Sequence, residues 1–348
     1  MNAELQAILD AWRDVYAADP RLSLCDVAVV IRGDGPALVG DTLDEATAEG
    51  ALAEVRGARP DLAVRDEMRR LLPAAPRMAV TRAVANVRKE PAERSELLTQ
   101  ALLGETVAVL KTEGDWAFVR LDADGYLGFT PCHALSAELP PPATHLVTAP
   151  LADLYAAADG ERRTGKAPFG AAVAVAEMHG ERAALALPGG VAWVARVDLL
   201  PLAERPAPDA AGFGVALRLV SRFVGVPYLW GGRSPFGYDC SGLAQTTLRL
   251  VGLPAPRDAD MQYVACDSVA GEPQPGDLLF FGRPGYSASG IVRTAGVSHV
   301  AVSLGGQDYL HATSLVWQVA YGSLDPASSL AYRAANSQFL SARRMPCA

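Results

Sequence analysis

Pro227-Tyr228-Leu229-Trp230-Gly231-Gly232-Arg233-Ser234-Pro235-Phe236-Gly237-Tyr238-Asp239-Cys240-Ser241-Gly242-Leu243 is the stretch on which the reading of this chain turns. Glycines and prolines interrupt any regular element as far as Tyr238. Asp239 then offers a good N-cap, and Leu243, Ala244, Leu248 and Val251 continue at helical spacing until Gly252. The pattern predicts a helix whose first turn carries Cys240. There the macrodipole and the free amides favour thiolate over thiol. The preceding loop is expected to leave the sulfur accessible at the edge of its domain.

A thiolate nucleophile needs a base that takes its proton and later gives it to a leaving amine. Two histidines follow Cys240, each inside a strand-like run: His299 in Val297-Ser298-His299-Val300-Ala301-Val302 and His311 in Tyr309-Leu310-His311-Ala312. Adjacent antiparallel strands would bring them together, with His299 as general base and His311 fixing its tautomer. A lone cysteine or histidine is more often a buried structural residue. A helix-capped Cys and two strand histidines in one domain point instead to a Cys-His hydrolase or acyl transferase.

Outward from this core the texture changes twice. Residues 209–348 place helical patterns first (Val215, Leu219 and Phe223, with Gly225 at the C-cap) and strands afterwards, which suggests an α+β domain. Upstream, Gly114–Leu121 alternates at period two and leads through Asp122-Ala123-Asp124-Gly125 into Tyr126–Phe129. The same pattern returns at Gly180–Leu187, Pro188–Gly190 and Val191–Val194, on the far side of a stiff Pro140-Pro141-Pro142 joint. The natural reading is two small barrels, over 76–140 and 141–208, closed by a second linker at Pro201–Pro208. Residues 1–75 read as a small α+β unit: a helix through Leu5, Ile8, Leu9, Trp12, Val15 and Tyr16, a strand at Val27–Ile31, and a helix over 44–56. Nothing in that unit carries chemistry.

Composition narrows the function classes. With 31 Lys+Arg against 39 Asp+Glu, the net charge of −8 leaves no basic stripe for nucleic acid and no polybasic membrane anchor. The 348 residues are half hydrophobic and one-fifth charged, as in a folded globular chain. Five scattered cysteines make no disulfide framework, and the five histidines form no zinc-ligand spacing, so neither a metal nor a cofactor is expected. Met1-Asn2-Ala3-Glu4-Leu5 puts an acid where a secretory signal would put Lys or Arg, and no run reaches transmembrane length, so a cytoplasmic protein is expected.

Five segments resemble the signatures of the NlpC/p60 cysteine peptidases: Tyr228–Gly232, Tyr238–Leu243, Pro275–Phe281, Ser298–Ala301 and Leu310–Ala312. The resemblance implies a papain-like C-terminal domain with a Cys240-His299-His311 triad that cleaves wall peptides beside γ-D-glutamyl residues. The upstream repeat is similar to the bacterial SH3-like barrels that often accompany such domains. It further implies that Tyr228 helps hold the oxyanion with the Cys240 amide, and that Asp239 and Ser241 contact substrate, Asp239 having helix capping as its alternative role. Asp258, in Arg257-Asp258, resembles a substrate-binding acid, and Trp230 lines a pocket or packs.

Members with SH3-like barrels that act on free recycled peptides need a carboxylate for a free L-Ala amine. Asp239 is one candidate; Glu90 and Tyr126 of the first barrel are others if it folds over the groove, and ordinary surface residues if not. The expected substrate is a murein peptide, L-Ala-γ-D-Glu-diamino acid, with release of L-Ala-D-Glu in peptide recycling. The rival readings are a secreted peptidoglycan endopeptidase and a non-catalytic wall-peptide binding protein.

Overall fold

Half-buried alternation and capped helical runs give a mixed chain in which strands predominate; the computed structural model describes residues 2–283 and 296–347. At the N-terminus, the helices Asn2–Tyr16 and Glu45–Ala58 cover a three-stranded sheet of Cys25–Arg32, Gly35–Thr42 and Arg65–Arg70. Asp44 caps the second helix by accepting from the Thr47 amide at 2.9 Å. That helix is the crossover between two parallel strands, which cannot be joined by a tight turn. Leu5, Leu9, Ala48 and Val55 meet Val27, Val29, Leu38 and Met68 in a core of the unit's own. Arg65–Arg70 escaped the sequence reading because only Met68 of its six residues is buried.

The two β units share one topology. Numbered within each unit, the seven strands from Arg77–Val80 to Leu135–Ser136, and the seven from His145–Val147 to Leu199–Pro201, are both ordered 3-2-6-5-4-1-7. A bulge between Val109 and Lys111 in the fourth strand of the first unit recurs between Val175 and Glu177 in the second. A one-turn 3-10 helix, Cys132–Ala134 or Arg196–Asp198, precedes the last strand of each. A bulge bends and twists a strand so that a small sheet can curl onto its own core. Its recurrence ties the internal repeat to local geometry.

The C-terminal unit is a six-stranded antiparallel sheet ordered Asp267–Ser268, Phe339–Arg344, Leu278–Gly282, Val297–Gly305, Asp308–Thr313, Gln318–Ser323. The helices Ala210–Val220, Cys240–Leu250 and Ala259–Ala265 pack around it, and Phe280, Val300, Val302 and Leu310 share a core with Phe213, Leu243 and Leu248. The first of these helices ends at Val220, followed by the 3-10 turn Ser221–Phe223. It buries Phe213, Ala216, Leu217 and Val220, while Val215, expected inside, lies on the outer face.

Candidate active site

The loop before Cys240 is held by its own backbone. The Leu229 amide donates to the Tyr238 carbonyl at 3.0 Å, and the Asp239 amide to the Gly232 carbonyl at 2.9 Å. Gly231 takes the left-handed φ of +76°. The helix start presses so closely on the loop that a Cβ on Gly242 would lie 2.2 Å from the Gly232 carbonyl oxygen. Asp239 caps the Cys240–Leu250 helix, its Oδ1 accepting from the Gly242 amide at 2.6 Å. Cys240 is therefore the first residue of a capped helix, as the spacing predicts.

The histidines come from neighbouring strands. Val302 faces Leu310, so His311 lies opposite Ala301 and the two rings are diagonal neighbours on one face. His299 Nε2 and His311 Nδ1 are 2.9 Å apart, with ring planes at 75°. With the proton on His299 Nε2, His311 accepts, and His299 Nδ1 keeps a lone pair; the reverse tautomer would block it. His311 is wedged between Tyr309 and Tyr332, at ring distances of 5.0 and 5.5 Å, and its Nε2 has no partner among the described residues. The amides of Val300, which follows His299, and of Ser241 favour the Cys240 thiolate, while His299 feels the charge of Asp239. Those contacts bring the sulfur to the strand residue next to His299 and place Asp239 within reach of both groups. Among the described residues the two make no hydrogen bond, as is common in unliganded sites.

The thiol is not the accessible thiolate that the sequence suggests. Cys240 is 8% exposed. Burial, reinforced by Asp239, pushes its thiol up to about 12 against the pull of the two amides and Arg257. Burial likewise pushes His299 down to about 4, and burial together with His299 pushes His311 down to about 2. Desolvation outweighs the helix terminus, so the resting groups are a neutral thiol and neutral imidazoles.

This depression couples to stability. The unfolded chain takes up histidine protons near pH 6.5, whereas folded His299 does not until about 4, so stability falls as pH drops through that window. Between about pH 6.5 and 5, above the ordinary carboxylate range, the melting temperature should decline, and less steeply in His299→Gln. Equal slopes would refute the coupling.

Around the nucleophile the remaining predicted residues divide. Tyr228 is half-buried, its ring centroid 6.1 Å from that of Trp317 in an edge-on arrangement, and its amide donates to the Trp317 carbonyl at 2.9 Å. Burial, then the charge of Cys240, raises its phenol pKa and keeps it a donor. Asp239 is saturated. Besides Gly242, its oxygens take the Gly231 amide (2.9 Å), Ser241 Oγ (3.2 Å) and both ends of the Arg257 fork (3.0 and 2.6 Å). A carboxylate has about four acceptor sites, so Asp239 serves as cap and brace, not as an amine ligand. Ser241, 4% exposed, is likewise occupied by Asp239 and Arg257.

Trp230 neither packs nor lines a closed pocket. It is 53% exposed and tethered through Nε1 to Glu96 at 3.1 Å. Tyr126 is buried at 3% exposure and donates to Asp258 Oδ2 at 2.8 Å. Glu90 is exposed on a turn where its amide bonds Ser95, and no contact among the described residues ties it to the site.

Sequence reasoning missed three supports. Arg257 is wholly buried and reaches Thr99 of the first β unit through Nε at 2.8 Å. Gln262 bonds the Ser241 carbonyl at 3.1 Å. Trp317 is 68% exposed and, at φ 56°, is the one non-glycine residue with positive φ among those described. Such strain in a bulky residue concentrates at functional sites. A tryptophan in the turn after the His311 strand was the available signal.

Residues 225–337 match the NlpC/P60 family, and residues 87–135 match the bacterial dipeptidyl-peptidase SH3 domain. A gamma-D-glutamyl-L-lysine dipeptidyl-peptidase of Bacillus cereus is 30% identical over 234 residues, which is 62% of this chain and 67% of that protein. Its namesake in Bacillus subtilis is 31% identical over 226 residues, 61% of this chain and 71% of the relative. An NlpC/P60 family protein from Bacillus cereus superposes with a TM-score of 0.66 at 23% identity, over 78% of this chain and all of that one. An NlpC/P60 endopeptidase from Photobacterium damselae subsp. piscicida gives 0.55 at 14% identity, over 77% and 70% of the two chains. At these identities the structural likeness speaks for the fold.

Proposed function

The chain belongs to the NlpC/P60 family of cysteine peptidases, and from that premise we propose that it hydrolyses the γ-D-glutamyl–L-diamino acid bond of murein peptides whose L-Ala amine is free. The observation that carries this reading is the His299–His311 hydrogen bond beside a cysteine at a helix N-terminus. The names of the two Bacillus relatives support the bond cleaved.

In this reading Cys240 Sγ attacks the γ-carbonyl carbon of D-Glu while its proton passes to His299 Nδ1. Because burial disfavours both charges, attack and proton transfer are concerted rather than preceded by a resting ion pair. Tyr228 Oη and the Cys240 amide hold the oxyanion. His299 then protonates the amine of the diamino acid as the C–N bond breaks, leaving a thioester. A water that gives its proton to His299 attacks the thioester carbonyl, and L-Ala-D-Glu leaves as the thiol is restored. Throughout, His311 Nδ1 accepts from His299 Nε2 and keeps the catalytic nitrogen facing sulfur.

Specificity rests on the acid that still has an oxygen to offer. Asp258 uses Oδ2 for Tyr126 and Arg21, while its Oδ1 carries no hydrogen bond among the described residues. A substrate ammonium placed there must belong to a peptide already released from the glycan, since in intact wall the L-Ala nitrogen is an amide. That chemistry suits recycling of freed peptides, and the cytoplasm is a setting that keeps a nucleophilic thiol reduced. L-Ala-γ-D-Glu-L-Lys should be cleaved with a kcat/KM about 100-fold above its N-acetyl derivative, the cost of leaving a carboxylate unpaired. Mass analysis of the products would check this. Equal cleavage of both peptides, or clearing of purified sacculi, would overturn the recycling reading.

A further inference from the structure

Among the described residues, the loop residue Arg21 links the N-terminal unit to the acid at the site. Arg21 lies in the loop between the first helix and the first strand and is 12% exposed. Its Nε and Nη2 bond Asp19 at 2.9 and 2.8 Å, which fixes the plane of the guanidinium. The same group then reaches out of its unit: Nη1 bonds Asp258 Oδ2 at 2.8 Å, and Nη1 and Nη2 take the two oxygens of Asp260 at 2.9 and 2.8 Å. Its carbonyl accepts from the amide of Leu127 at 2.8 Å. Leu127 follows Tyr126, whose hydroxyl donates to that same Asp258 oxygen. One loop residue thus joins three units at the acid assigned above to the substrate amine.

Three carboxylates converge on this guanidinium. Arg257, whose charge also acts on Asp258, is committed to Asp239, Ser241 and Thr99. Without Arg21, Asp19, Asp258 and Asp260 would face one another in a half-buried space, where like charges force protonation or separation. With it, one oxygen of Asp258 is pinned, and the other carries no hydrogen bond among the described residues. A planar fork that spans two acids can do this; a single ammonium cannot.

We propose that Arg21 is a positioning residue, through which the N-terminal unit sets Asp258 to receive the ammonium end of the substrate. The proposal rests on the free-amine reading above, and its test separates the two. Steady-state kinetics of the full chain would be measured for wild type, Arg21→Ala and Arg21→Lys on L-Ala-γ-D-Glu-L-Lys and its N-acetyl form, with melting temperatures alongside. Arg21→Ala should raise KM for the free tripeptide about tenfold, leave kcat within about twofold and leave cleavage of the acetylated peptide unchanged. Arg21→Lys should fall between. If Arg21→Ala melts below the assay temperature, the KM of Arg21→Lys carries the test. Wild type indifferent to acetylation would overturn the amine reading. Wild type that discriminates, with a variant that discriminates equally well or loses both peptides in parallel, would overturn the role of Arg21 alone.

Discussion

Cys240→Ala is expected to lower kcat/KM on L-Ala-γ-D-Glu-L-Lys at least about 10,000-fold while costing only about 1 kcal/mol of stability. The reason lies in what surrounds the sulfur. Asp239 and Ser241, its immediate neighbours, are consumed by the helix cap and the Arg257 fork, so neither can replace it as nucleophile or base. With sulfur gone, only the oxyanion donors remain, and these give a small residue of catalysis.

Cys240→Ser should fare little better. Burial leaves His299 a weak base, pushed down to about 4, and a hydroxyl is far harder to deprotonate than a thiol. Because nucleophile and base act as a unit, Cys240→Ala combined with His299→Ala should be no slower than Cys240→Ala alone. His311→Asn should retain more activity than His311→Ala, since an amide oxygen can still accept from His299 Nε2. Rates from purified, folded variants decide this. Turnover above about 1% of wild type in Cys240→Ala would remove the nucleophile from the mechanism.

What the sequence reveals of this arrangement is what local pattern encodes. Asp239 before an apolar run at helical spacing, and two histidines in alternating strands, are short-range signals, and the cap and the His299–His311 bond follow from them. The duplicated β unit is legible for the same reason, because bulge, turn and strand recur in order. Side chains that act across units leave no such trace. Arg257 meets Thr99, and Arg21 meets Asp258 and Asp260, over separations that no periodicity spans. The state of the thiol escaped for a related reason: a helix N-terminus can be read from four residues, but the desolvation that overrules it comes from the packed core around it. Trp230 shows the converse. An aromatic residue among glycines reads as core, yet the loop holds it at the surface, where Glu96 takes its indole N–H.

Asp239→Ala is expected to unlock the nucleophile helix without touching a catalytic atom. The substitution deletes the N-cap and the bond to the Gly231 amide, and it strands the Arg257 guanidinium, whose side chain is 0% exposed, with hydroxyl partners alone. Losing one member of a buried ion pair costs about 3–5 kcal/mol, and a lost cap adds about 1 kcal/mol. Arg257→Met should cost less, because the Asp239 carboxylate keeps two amides and Ser241 Oγ as donors. The double variant should then be more stable than the sum of the two singles, having no buried charge left unpaired. In a chain of several units one global midpoint would blur these differences. Hydrogen exchange of the amides in residues 240–250 reads the local opening directly. There Asp239→Ala should show the fastest exchange of the three, and Arg257→Met the slowest. Additive costs in that helix would mean that the pair is incidental to it, and that Asp239 acts on Cys240 through its charge alone.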